Sequence, residues 1–398
     1  MIVIADDITG AAEIAGIAFA RGAEVRLVCG SVYGCDTATY STDVTTVIAT
    51  DTRSMSEAEA ATETKRISAA FVSPEGKKVI FKKTDSALRG HVIAELTALM
   101  EATGYERAIY LPANPSKGRI IRNGIYYIKE VRGEKQEVRE VPLNETDFSF
   151  DPEFPARTSV LRERFPDAES KGIIMPDAES EEDIHNVIST YNDGKTIFAG
   201  AADLFSAMIG MGCGRLKESI AKHPIPIIPI LNSSLFESVA LQSLILCGST
   251  QSKALDLGIP VAPMPQEIYD GGDDLNFWDT TAYEQERHSL ILTIPHTHRT
   301  GKEVAVHLRT MMAEMAKQLV TRHCPDHLVI EGGATAWATL QALGWTEFTI
   351  TAQLAPGVVQ MRVTNACHTQ NLRSENGTLV TLKPGSYPWG TILSSYKA

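Results

Sequence analysis

The sequence predicts an α/β protein of two domains, each built on a mostly parallel sheet that is flanked by helices. The chain has 398 residues, which is more than a single hydrophobic core usually supports. Short apolar runs alternate with segments of helical periodicity along most of the chain, as in repeated βαβ units. Polar residues follow these apolar runs, at the strand ends where an open parallel sheet has its ligand crevice.

The first 29 residues of the chain predict a βαβ unit. Ile2 to Ala5 is an apolar run that ends in Asp6 and Asp7. Small and apolar residues then recur at helical spacing as far as Gly22, which predicts a helix that can lie close to a sheet. Val25 to Cys29 is the next apolar run and predicts the second strand.

A second βα unit is predicted directly afterwards. Val44 to Thr50 is rich in β-branched residues and ends shortly before Arg53, as expected of a buried strand. Ser56 and Glu59 match the capping-box pattern, so a helix should begin there and continue to about Phe71.

The third unit carries the densest group of polar residues. Lys78 to Lys82 predicts a strand, and the segment Lys83 to Ser86 follows it. His91 to Ala102 predicts a helix that Gly104 closes. A fourth strand is predicted at Ala108 to Leu111, because two prolines directly after it forbid continuation.

The rest of the chain is less regular at first and then resumes the same alternation. Lys129 to Asn144 is charged and without clear periodicity, so we expect a surface hairpin or flap there. The boundary between the domains is predicted near residue 240, which gives the ranges 1–240 and 241–398. Further strands are predicted at 172–175, 196–198, 244–247, 328–330 and 379–382, and helices at 302–319 and 336–343.

Composition and charge exclude several classes of protein. The formal net charge of -12 would repel a phosphate backbone, so we expect no nucleic-acid partner. No run approaches the roughly 20 apolar residues of a membrane span, and no basic leader precedes the first strand, so no membrane partner is expected. The six cysteines form no C-x-x-C pair, which favours reduced thiols and a cytoplasmic location.

In the first half, eight residues at the predicted strand ends could bind and activate a small hydroxylated anion. Guanidinium and ammonium groups suit a carboxylate, and carboxylates accept hydrogen bonds from hydroxyls or orient the attacking one. Any one of these residues could equally be a helix cap or a solvated charge, but four strand ends share the pattern. The candidates are Asp6, Asp7, Arg53, Lys83, Thr84, Asp85, Ser86 and Arg89, with Asn114, Lys117 and Arg119 behind them.

In the second half, glycine-rich loops follow predicted strands and could hold phosphate. Backbone amides at a helix N-terminus attract anions, and glycine lets a ligand approach them. The candidate residues are Ser249, Gly332, Gly333, Ala334, Thr335 and Gly385. Each loop alone would more often be a plain turn. The sequence contains no Walker motif, and no metal site is predicted, because His296 and His298 lack a well-placed third ligand.

The motifs at these positions resemble those of the four-carbon acid sugar kinase family. The resemblance spans nearly the whole chain and is stronger in the first half. It is carried by Ile4-Ala5-Asp6-Asp7-Ile8-Thr9-Gly10-Ala11, by Asp51-Thr52-Arg53-Ser54, by Lys82-Lys83-Thr84-Asp85-Ser86-Ala87-Leu88-Arg89-Gly90, and by Gly118-Arg119 with Gly124.

The resemblance implies an N-terminal sugar-acid domain, a C-terminal nucleotide domain and an active site in the cleft between them. It implies transfer of the γ-phosphate of ATP to threonate, erythronate or 3-oxo-tetronate. We expect Asp85 or Asp7 to orient the attacking hydroxyl. Mg²⁺ is expected with ATP because phosphoryl transfer needs its charge. The chain departs from the family at Ala334, where an aspartate is usual, and in the glycine-rich segment after Gly385.

Two other functions stay open at this point. A sensor that binds a sugar acid without catalysis would explain the altered nucleotide loop at Ala334. A dehydrogenase is disfavoured, since no G-x-G-x-x-G follows a predicted strand. The sequence leaves open which acid and which hydroxyl are used and whether the chain forms a homodimer.

Overall fold

A computed structural model describes most of the chain and divides it into two compact units, Met1–Ser219 and Ile220–Ala398. The predicted boundary near residue 240 lies in the segment 213–240, outside the described residues. The described residues are 1–30, 44–73, 76–77, 80–132, 137–151, 153–212, 241, 243–247, 258–281, 289–295, 301–365, 377–385, 389 and 392.

The first unit contains a main sheet whose described strands are all parallel. Its order is β11-β7-β12-β6-β1-β3-β2, so the predicted polar strand ends lie along one edge. The strands of the unit are β1 (Ile2–Ala5), β2 (Val25–Cys29), β3 (Thr45–Ala49), β4 (Val72–Ser73), β5 (Gly76–Lys77), β6 (Ile80–Lys83), β7 (Arg107–Leu111), β8 (Arg119–Arg122), β9 (Ile125–Arg132), β10 (Glu137–Pro142), β11 (Ile173–Ile174) and β12 (Thr196–Gly200).

Helices cover both faces of this sheet. Successive residues of a strand point to opposite faces: on β6, Lys82 pairs with Glu95 and Lys83 pairs with Glu13. The helices that carry these two glutamates therefore lie on opposite faces, and the unit has three layers. The helices are α1 (Ile8–Ala20), α2 (Glu57–Ala69), α3 (Val92–Thr103), α4 (Leu161–Arg164), α5 (Glu181–Tyr191) and α6 (Ala202–Gly210).

A smaller antiparallel sheet, β10-β9-β8, confirms the predicted hairpin within 129–144. Strands β9 and β10 pair from Tyr127 with Pro142 to Arg132 with Glu137, and the residues 133–136 between them lie outside the described part. The sequence did not predict β8, which is short and begins directly after Gly118.

The second unit also has a mostly parallel sheet, with the order β17-β18-β19-β16-β13-β15-β14. Strands β17 and β18 are antiparallel, as are β18 and β19, while the remaining neighbours are parallel. The elements are β13 (Ser243–Cys247), β14 (Val261–Pro263), α7 (Gln266–Tyr269), β15 (Ser289–Thr293), α8 (Lys302–His323), β16 (His327–Glu331), α9 (Gly333–Leu343), β17 (Glu347–Ala355), β18 (Val358–Val363) and β19 (Leu379–Lys383).

Most predicted elements are confirmed, with shifted ends. The capping box at Ser56 and Glu59 forms as expected, and Gly104 ends α3 in the left-handed conformation. The helix predicted to end at Leu319 continues to His323, since its last turn is polar and carries no helix-breaking residue. The β17–β18 hairpin was not predicted, although β17 alternates polar and apolar residues from Glu347 to Leu354 as a half-exposed strand does. No helix in the described ranges is both long and apolar enough to span a membrane.

Candidate functional site

The first two site residues follow β1 and open α1. Asp6 is buried, with 2% of its surface exposed. Asp7 is the N-cap of α1: its Oδ1 accepts a hydrogen bond from the Gly10 amide at 2.8 Å, and its Oδ2 accepts one from Thr9 Oγ1 at 2.6 Å. Alanine at position 10 would bring its Cβ within 2.7 Å of Asp7 Oδ1, so glycine lets the carboxylate lie against the helix start.

Arg53 joins the loop after β3 to the loop after β1. Its Nε and Nη2 donate to Asp6 Oδ2 at 3.0 and 2.8 Å, and its Nη1 donates to Asp7 Oδ2 at 3.0 Å. Its Nη2 also lies 3.7 Å from Asp85 Oδ1. Three carboxylates thus surround one guanidinium group, which explains why the pKa of Arg53 is raised even though burial opposes the charge.

Asp6 and Asp7 respond differently to the same arginine. Burial raises the pKa of Asp6 above its ordinary value of 3.8, although Arg53 acts in the opposite direction. Burial also acts to raise the pKa of Asp7, but the charge of Arg53 and the hydrogen bond from Thr9 outweigh it, and the pKa falls below 3.8. Asp7 is therefore the more firmly ionised of the two carboxylates.

Lys83 ends β6 and lies close to Asp7. Its Nζ donates to the carbonyl of Thr84 at 2.9 Å and lies 3.5 Å from Glu13 Oε2 on α1. The other oxygen of Glu13 accepts from Lys117 Nζ at 2.6 Å. Burial acts to raise the pKa of Glu13, but the two lysines outweigh it and lower the pKa. The Glu13 carboxylate thus pairs with the ammonium groups of both Lys83 and Lys117.

The loop after β6 is organised around Asp85. Its Oδ2 accepts from the backbone amides of Ala87 and Arg89, and the Arg89 side chain grips both oxygens, with Nε at 3.0 Å and Nη2 at 2.9 Å. Burial alone would raise the pKa of Asp85, but the guanidinium groups of Arg53 and Arg89 hold it well below 3.8. Asp85 is therefore ionised at every physiological pH.

The same loop contains a strained residue. Leu88 has a φ of 63° and is buried, a conformation that a branched side chain rarely adopts. Its carbonyl accepts from Arg164 Nε at 3.3 Å and Nη2 at 3.0 Å. These hydrogen bonds help to keep Leu88 in its strained conformation, and strained backbone that is held by its surroundings is common at functional sites.

Ser86 connects this loop to strands β8 and β9. Its hydroxyl accepts a hydrogen bond from Arg119 Nη1, and its carbonyl accepts one from the Tyr126 hydroxyl. The Arg119 guanidinium carbon also lies 5.7 Å from the centre of the Phe148 ring, and that of Arg89 lies 5.8 Å from it, within the range of a cation–π contact.

In the second unit, the glycine loops after β16 and β19 lie side by side. The amide of Gly332 donates to the carbonyl of Lys383 at 2.8 Å, and a Cβ on Gly385 would lie 3.9 Å from Gly332 Cα. Gly332 has a φ of 89° and precedes α9, whose first turn has no side-chain cap. The amides of Gly333, Ala334 and Thr335 therefore point out of the helix start without an intrahelical partner, as a phosphate site requires.

A buried ion pair lies directly beneath these loops. Lys383 Nζ is 2.7 Å from Glu331 Oε1, with the two side chains 1% and 4% exposed. Cys247 Sγ donates to the second oxygen of Glu331 at 3.1 Å, and Lys383 Nζ lies 4.9 Å from the centre of the Trp389 ring. The last residues of three neighbouring strands are thus tied together where the loops begin.

Comparison with known families decides what these two units are. Residues 1–170 match the model of a sugar-binding N-terminal domain, and residues 269–387 match that of a nucleotide-binding C-terminal domain. The chain resembles the four-carbon acid sugar kinase family in both domains. This confirms the predicted resemblance, and the observed α/β class with its mostly parallel sheets agrees with it.

Curated relatives carry names from the same family. The chain is 31% identical over 163 residues to a D-threonate kinase of Salmonella typhimurium, an alignment that covers 41% of this chain and 35% of that protein. The chain thus matches about a third of that kinase's length. It is 23% identical over 394 residues to a 3-oxo-tetronate kinase of Brucella melitensis, covering 90% of this chain and 88% of the other.

Solved structures share the fold. A Haemophilus influenzae protein of the family model DUF1537 superposes with a TM-score of 0.62 at 20% identity and covers 98% of this chain and 97% of its own. A Salmonella typhimurium LT2 protein, provisionally described as a tRNA synthase, gives a TM-score of 0.65 at 18% identity and covers 97% and 96%. At these identities the likeness concerns the fold.

The structure brings the predicted first-unit residues together and adds others. Ser249 lies outside the described residues, whereas the other predicted loop residues of the second unit adjoin one another. Sequence reasoning missed several residues in contact with the predicted ones, and five of these are charged or lie against a guanidinium group. Glu331 and Lys383 each end an apolar strand, and the same signal identified Lys83. Glu13 lies inside a helix, and Phe148 and Asp151 lie in a segment without strand periodicity, so no comparable signal marked them. These five residues are Glu13, Phe148, Asp151, Glu331 and Lys383.

Proposed function

We propose that this protein transfers the γ-phosphate of ATP to a hydroxyl of a four-carbon sugar acid of the threonate, erythronate or 3-oxo-tetronate type. The observation that carries the proposal is the arrangement of Asp7, Arg53 and Asp85 at one sheet edge, in a chain whose relatives include kinases of such acids. Cations for a carboxylate and carboxylates for hydroxyls are the groups that a sugar acid needs.

On the acceptor side, we assign the predicted residues Asp6, Asp7, Arg53, Lys83, Thr84, Asp85, Ser86 and Arg89 to the sugar acid. Asp7 is the better candidate to orient the attacking hydroxyl. A carboxylate can accept about four hydrogen bonds; Asp85 already accepts four, all from Ala87 and Arg89, whereas Asp7 accepts three. Asp85 would then keep the Arg89 loop in position, and its ionised form would steer substrate hydroxyls.

On the donor side, we assign the phosphates of ATP to Gly332, Gly333, Ala334, Thr335 and Gly385, together with Ser249. A Cβ on Gly332 would meet no other atom within 4 Å, so the loop has open space beside the free amides of α9. The residues present thus fit a phosphate chain.

Bound Mg²⁺ would neutralise charge on the β- and γ-phosphates during transfer. In the described ranges no group of three or more His, Cys, Asp or Glu side chains could hold a metal ion, and Glu331 is engaged by Lys383. We therefore propose that the protein's amides hold the phosphates and that these, with water, hold the ion. We also propose a cytoplasmic location, because Cys29 and Cys324, in the part of the chain that the structure describes, are free thiols.

The test is a coupled assay of ADP release with Mg²⁺, ATP and each of D-threonate, L-threonate, D-erythronate and 3-oxo-tetronate. We expect one acid to give turnover with kcat of about 1–100 s⁻¹, as is usual for kinases. Absence of turnover with every acid would contradict the proposal.

A sensor that binds sugar acid without catalysis is the second candidate, and Ala334 favours it because the family usually has an aspartate there. Titration calorimetry separates the two. A sensor binds a sugar acid but neither ATP nor ADP, whereas a kinase binds both kinds of ligand.

A further inference from the structure

Among the five cations that the sequence predicted for the candidate sugar-acid site, all but one are matched with carboxylates within the described residues. Arg53 is held by Asp6 and Asp7, and Arg89 is held by Asp85 and Asp151. Lys83 and Lys117 share Glu13. The charge of each of these cations is therefore already balanced by a protein carboxylate, and a substrate carboxylate would have to compete with it.

Arg119 is the exception. Within the described residues it forms no ion pair, and its side-chain contacts are to neutral groups: the Ser86 hydroxyl and the face of the Phe148 ring. Its side chain is half-buried. A guanidinium group in this position has donors left over, because it carries five N–H bonds in a rigid fork that matches a carboxylate.

The backbone holds Arg119 in a fixed place. Its amide donates to the Asn114 carbonyl at 3.1 Å, and its carbonyl accepts from the Asn114 amide at 2.8 Å. Asn114 Oδ1 in turn accepts from the amide of Asp203 at the start of α6. Gly118, with a φ of 68°, makes the tight turn before Arg119, and a Cβ there would come within 3.0 Å of Lys129.

We propose that Arg119 is the specificity-determining residue that binds the carboxylate of the sugar acid. The proposal deepens the proposed function and rests on it. The Phe148 ring and the Ser86 hydroxyl restrain the guanidinium group, and its remaining N–H groups would bind the carboxylate as a fork. The neighbouring Asp85 and Asp7 repel a carboxylate, so the acid's charged end would lie at Arg119 and its hydroxyls near the aspartates.

The test compares binding of D-threonate with that of its uncharged amide, D-threonamide, by titration calorimetry without nucleotide. Replacing Arg119→Met should weaken D-threonate binding by about 10- to 100-fold, the usual value of a charge-assisted hydrogen bond. The same variant should change D-threonamide binding by less than about 3-fold, since the amide carries no charge for the guanidinium to bind. Arg119→Lys keeps the charge but loses the fork, and we expect an intermediate loss.

Arg122→Met is the matched control, because Arg122 ends the same strand, β8, but pairs with Glu140 and Glu179 at the surface. It should bind both ligands as the parent does. Equal losses for both ligands in Arg119→Met and Arg119→Lys would assign the residue a structural role and overturn the proposal, as would unchanged D-threonate binding. If the parent protein binds none of the four sugar acids, the proposed function itself fails and the assignment fails with it.

Discussion

Arg53 donates two hydrogen bonds to a single oxygen of Asp6, from Nε at 3.0 Å and from Nη2 at 2.8 Å. The two residues follow neighbouring parallel strands, β3 and β1. Because Asp6 is buried, its charge depends on this guanidinium group. The relationship shows that Arg53 organises the carboxylates of the site.

Removing Arg53 should therefore destabilise the protein strongly. Arg53→Met leaves the carboxylates of Asp6 and Asp7 without their cation, and we expect a loss of about 3–5 kcal/mol in the free energy of unfolding. Urea denaturation measures this. The control Arg66→Met breaks a partly buried pair with Glu63, one turn away on the same helix, and should cost about 1 kcal/mol or less. A loss for Arg53→Met as small as that of the control would contradict the interpretation.

The buried pair of Lys82 and Glu95 should be strongly coupled. Glu95 Oε2 lies 2.7 Å from Lys82 Nζ and also accepts from Thr52 Oγ1 at 2.8 Å. Lys82→Met should cost about 3–5 kcal/mol, because Glu95 is left buried and unpaired. The double variant Lys82→Met with Glu95→Leu should cost less than the sum of the two single changes.

A matched control for this cycle is an exposed ion pair that also involves α3. Lys65 on α2 and Glu101 on α3 form a pair at 2.9 Å in which both side chains are 57% exposed. Lys65→Met should cost about 1 kcal/mol or less. Additive effects in the Lys82 and Glu95 cycle would show that the pair is not coupled.

Asp7 should matter for turnover more than for folding. Asn is as good an N-cap as Asp, so Asp7→Asn should change stability little through the cap, yet it removes the negative charge that orients the hydroxyl. We expect kcat to fall by about 10²–10⁴-fold. Asp183→Asn, at the exposed start of α5, should leave kcat unchanged. A kcat for Asp7→Asn within 3-fold of the parent would exclude the assigned role.

Asp85 should make stability depend on pH in the acid range. Its pKa is lowered in the folded state, chiefly by Arg53 and Arg89 against the effect of burial. A lowered pKa contributes stability that is present above the unfolded value near 3.8 and is lost as the pH falls below it toward the folded value.

The variant Asp85→Asn should therefore lose less stability than the parent between about pH 4 and pH 2. Denaturation curves at several pH values measure this. For the same reason, neither Asp85 nor Asp7 should produce an acid limb in the pH dependence of kcat between about pH 5 and pH 7. Identical acid slopes in the variant and the parent would contradict the assignment.

Gly332 should be required for nucleotide binding. Its φ of 89° and ψ of 137° suit glycine alone, so Gly332→Ala should cost about 1–3 kcal/mol and displace the first amides of α9. Gly344→Ala is the matched control, since Gly344 ends the same helix with a φ of 68° and is similarly open. Calorimetry should show that only Gly332→Ala weakens ATP binding, by about tenfold or more.

Much of the candidate site was predictable because its residues stand at the ends of apolar runs. The apolar runs of the sequence indicate buried strands, and Asp6, Lys83 and Asp85 lie at or just after the ends of two of them. Parallel pairing brings such strand ends to one edge of the sheet. The sequence could not predict which side chains contact one another. Arg119 and Ser86 are 33 positions apart, and Glu331 and Lys383 are 52 apart, so no local pattern records that they touch.

The sequence by itself determined the α/β class, the alternation of strands and helices, and the edge of the sheet at which chemistry is expected, because these depend on periodicity and on short-range capping. The tertiary structure alone decided that Arg53 is engaged by aspartates and that Arg119 is left without a carboxylate within the described residues. The physical reason is that charge pairing depends on distances of a few ångströms between distant segments, which only packing sets.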